Sequence, residues 1–326
     1  MGKLPFEKTK REVLVRKEAD TNPGTGEIPE KRTVERLIDF GVINIDKPKG
    51  PTSHQVSEFV QKILGLKKAG HSGSLDPAVT GVLPVALGSA TRIVQTLLPS
   101  GKEYVCIMHL HQEIDEKTIR KVMKSFVGKI MQKPPIKSAV KRVEREREIY
   151  YIEILEIDGK DILFVVGCEA GTYIRKLCHD MGKTFGVGAH MAELRRTKAG
   201  PFNEETLVTL QDLTDAYHYW KEEGKDSYIR KFIFPVEFAV AHMPKVWVFD
   251  NAIDSLCHGS ALKVPGISKL DSGIEPGQAA AMMTLKNELI GIGTAKLDSE
   301  KMLQEEKGVA VKTHKVFMKP GVYSFS

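Results

Sequence analysis

One short segment gathers polar residues around a single carboxylate. Residues 69–81 read AGHSGSLDPAVTG, and Asp76 is the only acidic residue among them. Glycines on both sides of Asp76 indicate a tight backbone turn, and His71 and two serines add polar groups. A carboxylate held in this way could act as an acid, a base or a nucleophile. Because Asp-Pro turns are common, the residues alone also fit a structural turn in which Asp76 caps a neighbouring helix.

Motifs for other chemistries are incomplete. Residues 182–184 (GKT) look like the end of a phosphate-binding loop, but Leu177 stands where that loop needs glycine. Residues 186–188 (GVG) could begin a dinucleotide-binding fingerprint, but Met191 replaces its third glycine. The ten histidines show no paired metal-ligand spacing. Redox, nucleotide-hydrolysing and zinc chemistry are therefore disfavoured.

The composition is that of a folded protein with about two domains. The 326 residues are 41% hydrophobic and 28% charged, and the net charge of +6 permits an anionic partner without proving one. Four cysteines lack any CxxC spacing, which predicts small buried thiols and not a disulfide framework.

No segment is predicted to enter a membrane. The N-terminal residues contain no apolar run of the kind that a signal peptide needs. The longest weakly polar stretch, 79–90, is far shorter than the roughly 20 residues of a membrane span. We therefore expect a soluble, cytoplasmic protein.

Several elements must position the Asp76 segment. The sequence predicts a strand at 41–46, followed by a helix that begins at Thr52 and buries Val56, Phe59, Val60, Ile63 and Leu64. Further predictions are a strand at 103–110, helices at 115–126 and 173–184, and a hairpin of 149–157 with 162–167. This irregular order of strands and helices predicts an α+β fold with a mixed, largely antiparallel sheet.

The chain changes character near residues 235–245. Beyond that point strands are short and turns frequent, which predicts a small β-barrel. From residue 245 onward, ten basic and nine acidic side chains give a net charge of only +1. At the other end, residues 1–38 lack periodicity and predict an extended arm.

Five ordered motifs resemble those of the TruB family of pseudouridine synthases. In chain order they are GVINIDKPKGPTSH from Gly41, KAGHSGSLDPAVTGVLPVALG from Lys68, GKEYVC from Gly101, GTYIRKL from Gly171 and AELRRTKAGPF from Ala192. The arm, the stretch KPPIKSAVKR from Lys133 and the block GVGAHMAELRRTKAGPF are similar to the dyskerin branch of that family. The region from His258 to Ala295 resembles a PUA domain, an RNA-binding module.

The resemblance implies a division into three parts. They are an N-terminal arm at 1–38 that packs on the PUA domain, a catalytic domain of the pseudouridine synthase fold at 39–243, and the PUA domain at 244–326. The chain ends without the Lys-rich tail of nucleolar members, which favours an archaeal source and a cytoplasmic location.

The resemblance also implies the roles of single residues. Asp76, Tyr104 and Arg175 match the catalytic positions, with Arg175 holding the acid in a site that excludes water and Tyr104 offering a flat face to the extruded base. His71, Tyr173 and Leu194 match positions that contact the substrate. The reaction transfers no electrons and needs neither cofactor nor metal.

A basic stretch follows the third motif. Seven lysines and arginines between 129 and 147 face only two glutamates, and Pro134-Pro135 excludes a continuous helix. The stretch fits either a solvated loop or a phosphate-binding loop. Because it would lie beside an RNA-modifying site, we favour the second interpretation. Lys137, Lys141 and Arg142 are the predicted RNA-binding residues.

Three functions remain to be separated. The first is a guided pseudouridine synthase that modifies rRNA in an H/ACA particle with a guide RNA, two small proteins and a kink-turn-binding ribosomal-type protein, with the T-loop uridine of tRNA as a further candidate substrate. The second is a stand-alone enzyme for the T-loop uridine of tRNA, and the third is an RNA-binding scaffold without catalysis. The short segment 132–157, where stand-alone members carry a longer RNA clamp, favours the first.

Overall fold

The structure is a computed structural model that describes residues 2–134 and 142–323. Its helices are α1 (Pro5–Lys8), α2 (Val34–Asp39), α3 (Ser53–Ile63), α4 (Val94–Leu97), α5 (Glu116–Ser125), α6 (Ile174–Phe185), α7 (Leu210–Glu223), α8 (Ile229–Phe232), α9 (Asp250–Cys257) and α10 (Ser299–Gln304).

The strands alternate irregularly with these helices. They are β1 (Val13–Val15), β2 (Gly41–Lys47), β3 (Ala69–His71), β4 (Thr80–Leu87), β5 (Lys102–Leu110), β6 (Gly128–Gln132), β7 (Arg145–Asp158), β8 (Asp161–Cys168), β9 (Ala189–Ala199), β10 (Phe202–Asn203), β11 (Ile233–Pro235), β12 (Lys245–Val248), β13 (Leu262–Lys263), β14 (Ile267–Asp271), β15 (Ala279–Met283), β16 (Leu289–Ala295) and β17 (Val309–Val316).

The chain divides into two compact units. The first comprises residues 1–8 and 43–233, and the second comprises residues 9–42 and 234–326. Residues 1–8 thus group with the first unit, although the predicted arm extends from 1 to 38.

The first unit is built on a mixed sheet in the order β2-β4-β9-β5-β8-β7-β6, with β3 beside β4 and β10 beside β9. Strands β4 and β9 are parallel, whereas β5 runs antiparallel to both β8 and β9. Helices α5 and α6 cover an apolar core that includes Met108, Phe164 and Leu177. This architecture confirms the predicted α+β class.

Local signals place the predicted helices and the hairpin. A reciprocal capping box between Thr52 and Gln55 begins α3, and Asp115 caps α5. The hairpin of β7 and β8 turns at Gly159, whose φ of +56° suits glycine. The buried face of α3 differs from the prediction, because Phe59 is 38% exposed. Instead Ser53 and Ser57 are buried.

The second unit has a sheet in the order β1-β14-β12-β15-β16-β17-β13. Val13–Val15 of the arm pairs antiparallel with β14 and forms one edge of this sheet. The predicted small β-barrel omitted two helices, α9 and α10, which pack Ile253, Leu256 and Met302 into the core of this unit. The sequence pattern did not reveal these helices because both are short. Their few apolar residues at helical spacing are outweighed by the turn signals around them.

All four cysteines are buried and free, as predicted. Within the described ranges, no helix is both long enough and apolar enough to cross a bilayer.

The close approach of β4 to β9 generates a stability prediction. Gly81 has φ of +99°, and a methyl group on it would overlap the carbonyl oxygen of Arg196. Gly128 has a similar φ of +105°, but a Cβ atom added there would meet no other atom within 4 Å. Both alanine variants bear the backbone strain of about 1–3 kcal/mol, but only Gly81→Ala adds the clash. We expect Gly81→Ala to lower the free energy of unfolding in urea by clearly more than Gly128→Ala. Equal losses would contradict the packing of β4 on β9.

Candidate active site

A buried lysine holds the loop that carries Asp76. Lys47, at the end of β2, is fully buried, and its ammonium group donates to the carbonyl oxygens of Pro77 at 3.2 Å and Val79 at 2.8 Å. Burial lowers the pKa of Lys47, while the Asp76 carboxylate opposes this shift. Because three carbonyls, including that of Pro48 at 3.0 Å, surround the ammonium group, the charge is solvated by the loop that it positions.

The start of α3 holds the same loop from another side. The Leu75 amide donates to Ser53 Oγ at 2.8 Å, and the Gly50 amide donates to the Pro77 carbonyl at 2.9 Å. Within the loop, the Val79 amide donates to the Asp76 carbonyl at 2.9 Å. These contacts explain why Ser53 turns inward on α3, and they place the Asp76 side chain at the surface of the loop.

Asp76 is paired with Arg175. Oδ2 of Asp76 accepts a hydrogen bond from the Arg175 guanidinium at 3.0 Å. Arg175 lies in the first turn of α6. The two side chains are 62% and 55% exposed. The predicted exclusion of water concerns the reacting complex with RNA and stays a prediction. An open carboxylate is the arrangement expected before a large ligand covers it.

Tyr104 lies on β5 beside a second buried cation. It pairs in register with Arg196 of β9, whose side chain is 1% exposed. Arg196 donates from Nε to the Val82 carbonyl at 2.7 Å and from a terminal nitrogen to the Gly73 carbonyl at 3.5 Å. Arg196 therefore binds both β4 and the loop that leads to Asp76.

Burial raises the pKa of Tyr104, and the Asp76 carboxylate acts in the same direction. The Arg196 guanidinium opposes the shift through its charge and a hydrogen bond. The net direction is upward, which keeps the phenol protonated at neutral pH. Tyr104 can thus donate a hydrogen bond while its ring remains an apolar face.

The three predicted substrate-contacting residues, His71, Leu194 and Tyr173, lie on β3, on β9 and at the N-cap of α6. His71 ends β3, and burial, together with the charges of Arg196 and His54, lowers its pKa. Leu194 is half-buried on β9, next to the core of the first unit. His71 is therefore a neutral imidazole close to the buried guanidinium.

Tyr173 is fixed through its backbone at the N-cap of α6. Its amide donates to Gln132 Oε1 at 2.9 Å, and its carbonyl accepts from Gln132 Nε2 at 3.2 Å. Gln132 is buried at the end of β6. This double contact fixes the start of the helix that presents Arg175.

The predicted basic loop is shorter than expected. Lys129 lies on β6, and Arg145 and Arg147 lie on β7. These strands pair side by side, which places Lys129 2.9 Å from Glu146 and offsets part of the positive charge. Lys137 and Lys141 lie outside the described residues.

Arg142 shares a cavity of about 620 Å³ with Arg175. Pro134, Ala189 and Met191 supply apolar lining. The described polar residues that line it are basic side chains or histidines: Lys133, Arg142, Arg175, Lys176, His179 and His190. A positively charged rim over apolar lining suits a nucleic-acid strand.

Sequence reasoning missed Lys47, Arg196 and Gln132. The first two occur within the quoted motifs, but their residue type predicts exposure and not burial. A signal was present for Arg196, since it shares the alternation of Leu194 on one face of β9. Gln132 carried no signal, because its partners are backbone atoms distant in sequence.

The arrangement joins an accessible carboxylate, its arginine partner and a protonated phenol. Such a set can attack or deprotonate a ring that is placed over Asp76. No group of three or more His, Cys, Asp or Glu side chains suited to a metal ion occurs in residues 2–134 or 142–323.

Comparison with family models covers nearly the whole chain. Residues 61–174 match the N-terminal domain of the TruB family pseudouridylate synthases, and residues 175–241 match the C-terminal domain of tRNA pseudouridylate synthase B. Residues 2–57 match the DKCLD (NUC011) domain, and residues 244–317 match the PUA domain.

Whole-length relatives agree with these matches. The chain is 59% identical to a probable tRNA pseudouridine synthase B of Pyrococcus abyssi over 95% of this chain and 93% of the relative. Identity to the protein of that name from Methanopyrus kandleri is 54%, over 98% and 95% of the two chains.

Two solved structures resemble this chain over almost its whole length. A chain in a Cbf5-Nop10-Gar1 complex superposes with a TM-score of 0.94 and 57% identity, covering 99% of this chain and 98% of that chain. A chain in an H/ACA RNP bound to a substrate RNA containing 2′-deoxyuridine gives a TM-score of 0.92 and 55% identity, covering 99% of both chains.

A third buried cation generates a pH prediction. The Lys102 ammonium group donates to the carbonyls of Leu97, Leu98 and Ser100 at 2.6–3.2 Å. Burial, followed by the charge of Arg196, lowers its pKa from 10.5 to about 7. Between these two values the unfolded chain binds more protons, so this group makes stability rise with pH.

We therefore expect the free energy of unfolding of the wild type, relative to Lys102→Met, to increase from pH 7 to pH 10. Urea titrations at each pH measure the difference, whose slope has an upper limit of about 1.4 kcal/mol per pH unit. A difference that stays constant with pH would contradict the lowered pKa.

Proposed function

From the membership of this chain in the TruB family of pseudouridine synthases, we propose that it isomerises selected uridines of rRNA to pseudouridine within an H/ACA ribonucleoprotein. The single observation that carries the active-site assignment is the exposed Asp76–Arg175 pair, held beside Tyr104. The PUA-like residues 244–326, the catalytic region 39–243 and the arm 1–38 are the parts that we propose to share this work.

The chemistry requires one carboxylate and a held base. The N1–C1′ bond breaks, the uracil turns, and a C5–C1′ bond forms, while C5 loses a proton and N1 gains one. Atoms and electrons balance without a redox partner. Asp76 either adds to a ring carbon or removes a sugar proton, and the residues of the site are compatible with both routes.

The neighbouring groups would orient the reaction. Arg175 holds the Asp76 carboxylate toward the opening, and the Tyr104 ring supports the flipped uracil while its protonated hydroxyl donates a hydrogen bond. His71, Tyr173 and Leu194 would shape the pocket for the extruded nucleotide. Bound RNA would exclude the water that reaches Asp76 in the free protein, and this strengthens every electrostatic contact in the site.

The basic cavity beside Arg175 supports a path for the RNA strand. Arg142 and Lys133 lie on its rim, and no acidic residue is among its described lining. Phosphates would bind this rim, and bases would contact Met191 and Pro134. Lys137 and Lys141, which lie outside the described residues, are further residues that we propose to bind RNA phosphates.

Partners would complete the positioning. One solved complex contains Cbf5 with Nop10 and Gar1, a second contains Cbf5 with Nop10, and a third is an H/ACA RNP bound to a substrate RNA. We propose that this chain likewise works with a guide RNA, two small proteins and a kink-turn-binding ribosomal-type protein in the cytoplasm. Modification of tRNA without a guide is the second candidate, favoured by the names of the curated relatives.

We expect Asp76→Asn to abolish turnover while RNA affinity stays nearly unchanged, because the amide keeps the shape of the carboxylate but cannot act as a base or nucleophile. Tritium release from RNA labelled at uracil C5 measures turnover, and the loss should reach on the order of 10²–10⁴-fold or more. Gel-shift titration measures RNA binding.

Asp115→Asn is the matched control, since asparagine also caps a helix and Asp115 lies at the N-cap of α5. It should keep the wild-type rate. Arg142→Ala should show the opposite pattern to Asp76→Asn, with weaker binding and a shallower salt dependence. Multiple turnover by Asp76→Asn would refute the assigned role.

The guided function predicts a strong dependence on particle components. Flipping a base costs a few kcal/mol and needs the flanking RNA to be held, and a chain with a short clamp must obtain that support from partners. We expect the single-turnover rate on one rRNA fragment to rise by orders of magnitude when guide RNA and the partner proteins are added. Folded tRNA already presents its T-loop uridine and should depend less on them. Equal rates on rRNA with and without the particle would favour the stand-alone tRNA enzyme.

A further inference from the structure

We propose that a partly buried ionic network, running from Glu7 through Lys198 to Glu103, is a positioning device for Tyr104. The inference rests on the proposed role of Tyr104 and extends it to residues that do not touch the substrate. The network lies within the first unit, and its members come from α1, β5 and β9.

The register of β5 against β9 changes immediately before Tyr104. Glu103 pairs with Lys198, but Tyr104 pairs with Arg196. Thr197 is therefore the extra residue of a β-bulge. A bulge of this kind turns the side chains beside it, and bulges are common next to active sites. Here it brings Tyr104 opposite the buried guanidinium.

Glu103 holds the bulged residue directly. Thr197 Oγ1 donates to Glu103 Oε1 at 2.9 Å, and the hydroxyl of Tyr151 on β7 donates to Oε2. Lys198 Nζ lies 3.3 Å from the same Oε2. Both Glu103 and Thr197 are buried, so the carboxylate is fixed by donors from β9, which is adjacent to β5, and from β7, which lies beyond β8, and it loses its position if they move.

The N-terminal segment completes the network. Lys198 Nζ donates to both carboxylate oxygens of Glu7, at 3.1 and 3.2 Å. Glu7 in turn accepts from the Leu4 amide at 2.6 Å, and the Leu4 side chain is fully buried. The ammonium group of Lys198 thus lies between two carboxylates, and these raise its pKa against the opposing effect of burial.

The consequence for Tyr104 follows from strand geometry. A one-residue slip in a strand exchanges its two faces. If the bulge moved past Tyr104, then Tyr104 would oppose Thr197 in place of Arg196 and would lose the hydrogen bond that sets its hydroxyl. Residues 4–8 and Lys198 therefore stabilise the register in which Tyr104 lies opposite Arg196. They would affect the reaction through the position of Tyr104 and not by touching the substrate.

The test is a double-mutant cycle in the full chain, assembled with guide RNA and partner proteins. Lys198→Met removes the central cation, while Glu103 keeps its donors Thr197 and Tyr151. We expect the single-turnover rate to fall about tenfold with RNA affinity unchanged, since a displacement of 1 Å can cost on the order of a hundredfold. Tyr104→Phe removes the hydroxyl, and Lys198→Met should add little further loss in that background.

Glu7→Gln tests the same path from the surface end and should reduce the rate in the same direction, even if Lys198→Met proves unstable. Lys225→Met, which breaks the Lys225–Glu223 pair at 2.6 Å in the same unit, is the matched control and should leave the rate unchanged. Additive effects of Lys198→Met and Tyr104→Phe would overturn the inference, as would a loss confined to RNA affinity. Failure of the proposed function would appear differently, as turnover that persists in Asp76→Asn.

Discussion

The burial of the Arg196 guanidinium is the constraint on which the active site depends. A charge taken out of water needs hydrogen-bond acceptors around it, and here the protein supplies them from several elements. The Val82 carbonyl comes from β4, the Gly73 carbonyl from the loop before Asp76, and the Tyr104 hydroxyl from β5. If one acceptor moves away, the cation becomes unsatisfied, so the three elements are held together by a shared electrostatic requirement.

Two further cations use the same principle. Lys47 and Lys102 are buried against backbone carbonyls and not against carboxylates. The carbonyl oxygens of a loop can converge on one ammonium group only in a particular loop conformation. Each lysine therefore stabilises the loop conformation that supplies its hydrogen-bond acceptors. The catalytic acid itself remains outside this interior and accessible to a ligand. Rigidity and accessibility thus come from different residues.

Local signals were sufficient for most of the architecture. Thr52, Asp115 and the Asp158-Gly159 turn identify their elements because their effect lies within a few residues. Burial of Arg196, the double contact of Gln132 and the inward turn of Ser53 depend on partners far along the chain, which no local pattern encodes. The water-excluding site was predicted for the reacting complex, whereas the structure is of the protein alone. Asp76 was found through its motif, since an Asp-Pro turn by itself fits a structural role equally well.

The contact at Gly81 also limits how this sequence can drift over evolutionary time. The atom that blocks a side chain at position 81 is the main-chain oxygen of residue 196, which every amino acid possesses. No substitution at 196 can therefore make room for a larger residue at 81. In a packed core, by contrast, a larger side chain at one position can be offset by a smaller one at its partner. Glycine is required at position 81 for a steric reason that is separate from the chemistry of Asp76, five residues before it. Two positions of one motif can thus be constrained for unrelated physical reasons.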